Sequence, residues 1–192
     1  MTRVVCGWRC VAPEVAHSRT IGRMSSEPRS TGTIAKSALL LVTALVVLLV
    51  DQLTKALVVA NLAVGERSRV LGDLIQIWHA QNRGAAFSLL QGASLLFMAV
   101  TVLALGLVVY FHRTLRDRGW WLHLVLGAVL GGTLGNFVDR LRLGYVTDWL
   151  SVGIGDVRFP TFNVADSSMV VGIGILMIYL LLTDADRREA RT

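Results

Sequence analysis

This sequence predicts an all-α membrane protein: four transmembrane helices, a small extracytoplasmic β-sheet, and a second extracytoplasmic loop carrying part of a polar site. Three observations predict it. The 192 residues are 54% hydrophobic and only 17% charged, with a mean hydropathy of +0.59, far from an ordinary soluble domain. Four apolar runs, at about 37–60, 92–111, 120–138 and 164–182, are separated by polar or glycine-punctuated segments. Asp139, Asp148 and Asp166 lie in or beside sequence apolar enough to sit in a membrane. A carboxylate near hydrocarbon is costly unless paired, protonated or wet, which makes each acid a functional candidate.

The chain divides into a tail of residues 1–35, one membrane domain over 36–183 and a short tail over 184–192. The first tail is rich in Arg, Ser, Thr and Gly without apolar periodicity, and reads as disordered and cytoplasmic. The apolar segment after it is too long for a signal-peptide core and has no small-residue cleavage site. Met24 opens a more ordinary beginning, MSSEPRS, and is an alternative start. Cys6 and Cys10 precede the first apolar run; with His17 they fall short of a closed zinc site and read as incidental thiols. The net charge of +6 comes without a basic stripe interleaved with aromatics, so nucleic acid is not expected as a partner.

Ser37 to Ala60 forms the first span; its 24 residues at ~1.5 Å each exceed a ~30 Å bilayer core. Asp51 lies within it, and Lys55 follows four residues later on the same face, where the pair can neutralise itself. Asn61 to Gln91 is too polar to span. Val70 to His79 alternates like a strand, with Gly65 and Gly72 as turns. In Asn82-Arg83-Gly84-Ala85-Ala86-Phe87, two polar residues precede small ones that admit a close backbone. Gly92 to Phe111 is an uncharged second span, followed by a loop bearing Arg113, Arg116 and Arg118.

Trp120 and Trp121 mark an interface and open the third span. Its Gly127, Gly131 and Gly135 recur every four residues, lining one face for close helix contact. Asn136, Asp139 and Arg140 share a face at its end. The segment Leu141 to Phe162 returns to the outer surface in short mixed runs; its G-I-G lacks the third glycine of a nucleotide loop. Asp148 stands there alone among residues suited to a partly buried place, where desolvation raises a carboxyl pKa. Asn163 resembles an N-cap of the fourth span, with Asp166 at the positive end of the helix dipole.

Lysine and arginine counts set the topology. Twelve fall on one side, at Arg3, Arg9, Arg19, Arg23, Arg29, Lys36, Arg113, Arg116, Arg118, Arg187, Arg188 and Arg191. Six fall on the other, at Arg67, Arg69, Arg83, Arg140, Arg142 and Arg158. Both termini are therefore expected in the cytoplasm, with Asp51, Asp139, Asp148 and Asp166 towards the outer leaflet. Two carboxyls meeting there share one proton, so one serves as base and one as acid in peptide hydrolysis by water. No metal or other cofactor is required. The helix terminus favours Asp166 as the base, leaving Asp148 as the acid.

Five blocks in order then carry a resemblance: D-Q-L-T-K from Asp51, N-R-G-A-A-F from Asn82, G-G-T-L-G-N-F-V-D-R from Gly131, V-T-D-W from Val146 and F-N-V-A-D-S from Phe162. Together they resemble the lipoprotein signal peptidases, the type II signal peptidases of bacteria, over roughly Leu40 to Leu182. The resemblance implies a multi-pass plasma-membrane aspartyl protease that cleaves prolipoproteins just before a diacylglyceryl-modified cysteine and is inhibited by globomycin; a monomer is expected. It places catalysis at Asp148 and Asp166. Asp51, Asn82, Gly84, Asn136, Asp139, Arg140, Asn163 and Ala165 are the supporting or substrate-binding residues. Trp149 stands where the family usually has Phe, and Arg83 at a variable position. Two other classes remain open to the same acids. A proton or ion transporter would relay through Asp51, Lys55 and Asp139, although no internal repeat or broken span is present. A magnesium enzyme would ligate through Asp148 and Asp166.

Overall fold

The computed structural model describes residues 29–83 and 94–189. Four helices appear among them: α1 (Arg29–Asn61), α2 (Ser94–Thr114), α3 (Trp121–Leu143) and α4 (Val164–Glu189). Gly32–Asn61, Trp121–Leu143 and Val164–Ala185 are long and apolar enough to cross a membrane, and Ala99–Thr114 is a shorter apolar helix. α1 begins at Arg29 instead of Ser37, so the end of the expected tail is already helical. Met24, Cys6, Cys10 and His17 lie outside the described residues.

α3 is the helix that the others pack on. It contacts α1, α4 and α2, and it is the most buried of the three long apolar helices. Its glycines explain the closeness. A Cβ placed on Gly127 would fall 2.5 Å from the Leu40 carbonyl oxygen, and one on Gly131 would fall 2.5 Å from that of Ala44, both on α1. Gly132 instead faces Ala165 and Ser168 of α4. Lipid gives little hydrophobic incentive for helices to associate, so small residues that bring backbones together do much of the holding. The far end of the bundle is apolar, around Leu40, Val108, Leu115, Leu122, Leu126, Val129 and Leu176. On α1, Leu41, Leu45, Leu49, Leu53 and Leu57 recur every fourth residue and are each more than half exposed. Such a stripe belongs against lipid rather than water.

The segments between helices form one antiparallel sheet of order β1-β2-β3-β4, with β1 Arg67–Leu71, β2 Ile75–Asn82, β3 Val146–Ile154 and β4 Val157–Arg158. The segment expected as a second loop is thus corrected to the sheet's longest strand, β3, and its short partner β4. Runs of mixed polarity with interspersed glycines resemble a loop; pairing with β2, far away in sequence, is what makes them a strand. Val70 to His79 crosses a hairpin instead of forming one strand, turning through Gly72 at φ 52°. α3 ends at Gly144, whose left-handed φ of 75° and N–H bond to the Arg140 carbonyl close the helix. β3 starts two residues later.

Candidate active site

Two devices bring Asp148 and Asp166 together. β2 has one residue more than β3 between the pairs Ile77↔Leu150 and Ala80↔Asp148. This bulge sits beside the site, as bulges that re-aim a side chain do. Asn82, two residues beyond Ala80, is then diagonal to Asp148, and its Nδ2 donates to Asp148 Oδ2 at 3.0 Å. Beyond β4, the chain folds back onto β3: Phe162 donates its N–H to the Leu150 carbonyl at 3.1 Å and accepts from the Leu150 N–H at 2.8 Å. That bridge delivers Asn163 to the side of Asp148 and starts α4 there.

Asn163 holds both acids. Its Nδ2 donates to Asp148 Oδ1 at 2.7 Å, and also approaches Asn136 Oδ1 and the Thr147 carbonyl at 3.3 Å each. Its Oδ1 accepts from the Asp166 N–H at 2.9 Å, while its own N–H donates to Asp166 Oδ2 at 3.3 Å. This is a reciprocal capping box, with Asp at the third helical position. Asn136 Nδ2 donates to the other Asp166 oxygen, Oδ1, at 2.7 Å. Burial pushes the Asp148 carboxyl up to about 7; the nearby charge of Asp166 adds to this, and the bonds from Asn82 and Asn163 and the charge of Lys55 oppose it.

Below this pair lies a buried charge cluster. Lys55 Nζ reaches Asp51 Oδ2 and Asp139 Oδ2 at 2.8 Å each and donates to Asn136 Oδ1 at 3.0 Å. Those are three acceptors for three ammonium hydrogens. Asp51, fully buried, accepts the Ala165 N–H on Oδ1 at 2.9 Å and so caps α4 from α1. Gln52 Nε2 links Asp139 Oδ1 at 2.9 Å to the Gly135 carbonyl at 3.2 Å. Asp139 Oδ2 also receives the Thr147 N–H of β3, at 3.3 Å. A Cβ on Gly135 would come within 2.5 Å of Asp51 Oδ2, so this glycine makes room for the carboxylate. Ala165 is fully buried against the same spot.

Arg140 is half-buried within electrostatic reach of Asp166, Asp148 and Asp139, and its Nη1 donates to the Asn136 carbonyl at 3.3 Å. The structure therefore gathers Asp148, Asp166, Asp51, Asn82, Asn136, Asp139, Arg140, Asn163 and Ala165 at one end of the bundle. Gly84 lies outside the described residues. Lys55, Gln52 and Thr147 were not among the expected site residues. The self-neutralising pair Asp51–Lys55 was legible from its spacing; that Asp139 and Asn136 complete the ammonium's set was not. The surplus of acids over the single lysine was the available signal.

Fold and site together define a class: helical membrane proteins with a cluster of buried carboxyls where the helices meet a small sheet. The chain belongs to the signal peptidase (SPase) II family, whose model matches residues 43–182. It is 36% identical over 149 residues to a protein of Shouchella clausii, covering 78% of this chain and 97% of that one. It is 42% identical over 137 residues to one of Halothermothrix orenii, covering 71% and 90%. For a protein of Enterococcus faecalis the identity is 39% over 141 residues, covering 73% and 86%. Each of these is named lipoprotein signal peptidase. A solved structure described as a bacterial membrane enzyme superposes with a TM-score of 0.67 at 32% identity, covering 80% of this chain and 92% of its own. Membership in this family makes the chain a peptidase of a bacterial membrane.

Proposed function

We propose that this peptidase is an aspartic endopeptidase that removes signal peptides from prolipoproteins, cleaving just before the diacylglyceryl-modified cysteine. Asp148 and Asp166 are its catalytic pair. The observation that carries the reading is Asn163, one residue bonded to both carboxyls, to Asp148 through its side-chain amide and to Asp166 through its backbone N–H, with Asn82 and Asn136 each donating to one of the two acids. Asp166 accepts two N–H bonds at a helix start, an arrangement that suits the ionised partner. Asp148, buried and pushed up to about 7, suits the protonated one. Asp166 takes a proton from water as its oxygen attacks the scissile carbonyl carbon, and Asp148 gives its proton to the carbonyl oxygen. Collapse of the tetrahedral intermediate returns a proton through the pair to the leaving nitrogen, so the two carboxyls exchange roles during turnover.

The cluster around Lys55 supports holding rather than relaying, since its ammonium hydrogens are all engaged. Both termini lie in the cytoplasm and the site faces outward, as the lysine and arginine count directs. The enzyme works as a monomer and is blocked by globomycin. Cleavage of a diacylated lipobox peptide by purified protein, with and without globomycin, tests the reading. Cleavage amino-terminal to the lipidated cysteine that globomycin stops is expected. Cleavage elsewhere, or of the unlipidated peptide equally well, overturns it.

A further inference from the structure

At the end of the bundle away from the carboxyls, an open groove of about 260 Å³ runs between α1, α2 and α3. Its walls are Leu40, Leu41, Leu105, Val108, Val109 and Leu130. From Leu105 to His112 it follows α2 for roughly 10 Å, about a third of a bilayer core. Only at its rim is it polar, where Ser37 Oγ lies 3.1 Å from His112 Nε2. Just beyond the rim, Lys36 Nζ donates to the Arg116 and Arg118 carbonyls at 2.8 and 2.9 Å, and Arg116 Nε donates to Thr33 Oγ1 at 3.0 Å. These bonds dock the loop after α2 onto α1 and leave Arg113, Arg116 and Arg118 exposed, with Arg113 and Arg116 within electrostatic reach of His112 on the rim and Asp117 the one acid in that loop.

We propose that this groove is a binding site for one anionic phospholipid. Its acyl chain lies in the groove and its phosphate is held by Arg113, Arg116 and Arg118. Arginine matches phosphate oxygens in pairs, and a cationic cluster at headgroup depth attracts anionic lipid. Charge also selects this occupant over a precursor's signal peptide. A signal peptide carries basic residues at the end away from its cleavage site, and in this groove they would meet the arginines. A basic loop placed only for topology needs no apolar groove beneath it. Here the two share a rim.

Native mass spectrometry of the full chain, released from nanodiscs of equal phosphatidylglycerol and phosphatidylcholine, tests this. One phosphatidylglycerol should be retained preferentially, and added inorganic phosphate should not displace it. Arg113→Gln with Arg118→Gln should lower its retention by about tenfold or more, since each cation near an anionic surface contributes several-fold. Val109→Trp, which fills the groove from a half-exposed position, should lower it with every charge in place. Leu41→Trp does the same from the opposite wall should the first variant fail to fold. Retention unchanged in a folded groove-filling variant would reduce the effect to annular charge attraction and overturn the site. So would equal retention of the two lipids, displacement by phosphate, or retention that does not fall when the arginines are replaced.

Discussion

Asn163 is where the residue scale matters most, because a single residue, through its side-chain amide and its backbone N–H, fixes two acids that differ in their needs. Asp148→Asn and Asp166→Asn each keep the shape and remove the proton chemistry. Each should lower kcat for a lipidated precursor by at least ~10²-fold, with the protein still inserted and folded by circular dichroism. Near-normal cleavage by either variant would undo the assignment. The pH dependence follows from Asp148. Its folded pKa of about 7 lies above the ordinary carboxyl value, so the proton that the proposed mechanism has it donate is present below that pH and lost above it. Cleavage should therefore decline as pH rises through about 7. Asn82 stabilises the ionised form, so Asn82→Leu should move that decline to higher pH. A decline that stays in place, or moves lower, contradicts the role given to Asn82.

At the scale of the element, α4 starts where it does because its own cap residue and a second helix both take up free N–H groups of its first turn. Asn163 caps it in sequence and Asp51 caps it from α1 through the Ala165 N–H. An asparagine at position 51 can still accept that bond but loses the charge pairing with Lys55. Asp51→Asn should thus cost about 1–3 kcal/mol of stability, read as a lower unfolding temperature, and reduce kcat less than either change in the catalytic pair. α3 is constrained by its glycines. Gly131→Ala places a methyl against the Ala44 carbonyl and should destabilise by about 1–3 kcal/mol through overpacking. Gly135→Ala meets Asp51 itself, so it should depress activity beyond its effect on stability; if activity tracks stability alone, the glycine is only a spacer.

Across the whole molecule, Lys55 joins α1 and α3 beneath the pair and, through Asn136, reaches the residue that holds Asp166. Lys55→Met leaves two buried carboxylates without their cation, and breaking such a cluster costs about 3–5 kcal/mol. The variant should unfold at markedly lower denaturant, and an unchanged midpoint would show that the cluster is wet or protonated. Cleavage should persist in EDTA, because the proposed chemistry uses only carboxyls and water.

Much of this architecture was legible residue by residue. Four apolar runs marked the four described helices, three of them long and apolar enough to cross a membrane, since spanning lipid demands length and apolarity that composition displays directly. Gly127, Gly131 and Gly135 declared a packing face by their spacing, and Asn163 with Asp166 declared a helix start. β3 was not legible as a strand, because its partner β2 is supplied by a segment far away in sequence, and the bulge that aims Asp148 belongs to the pairing rather than to either strand. Nor did the i,i+4 spacing of Asp51 and Lys55 disclose Asp139 as the third member. The sequence by itself determined a membrane-spanning helical chain of this family and which acids were out of place in it. Only the tertiary structure decided who neutralises, caps and holds each one, because a buried charge takes its partners from whatever the fold brings within about 3 Å, regardless of distance along the chain.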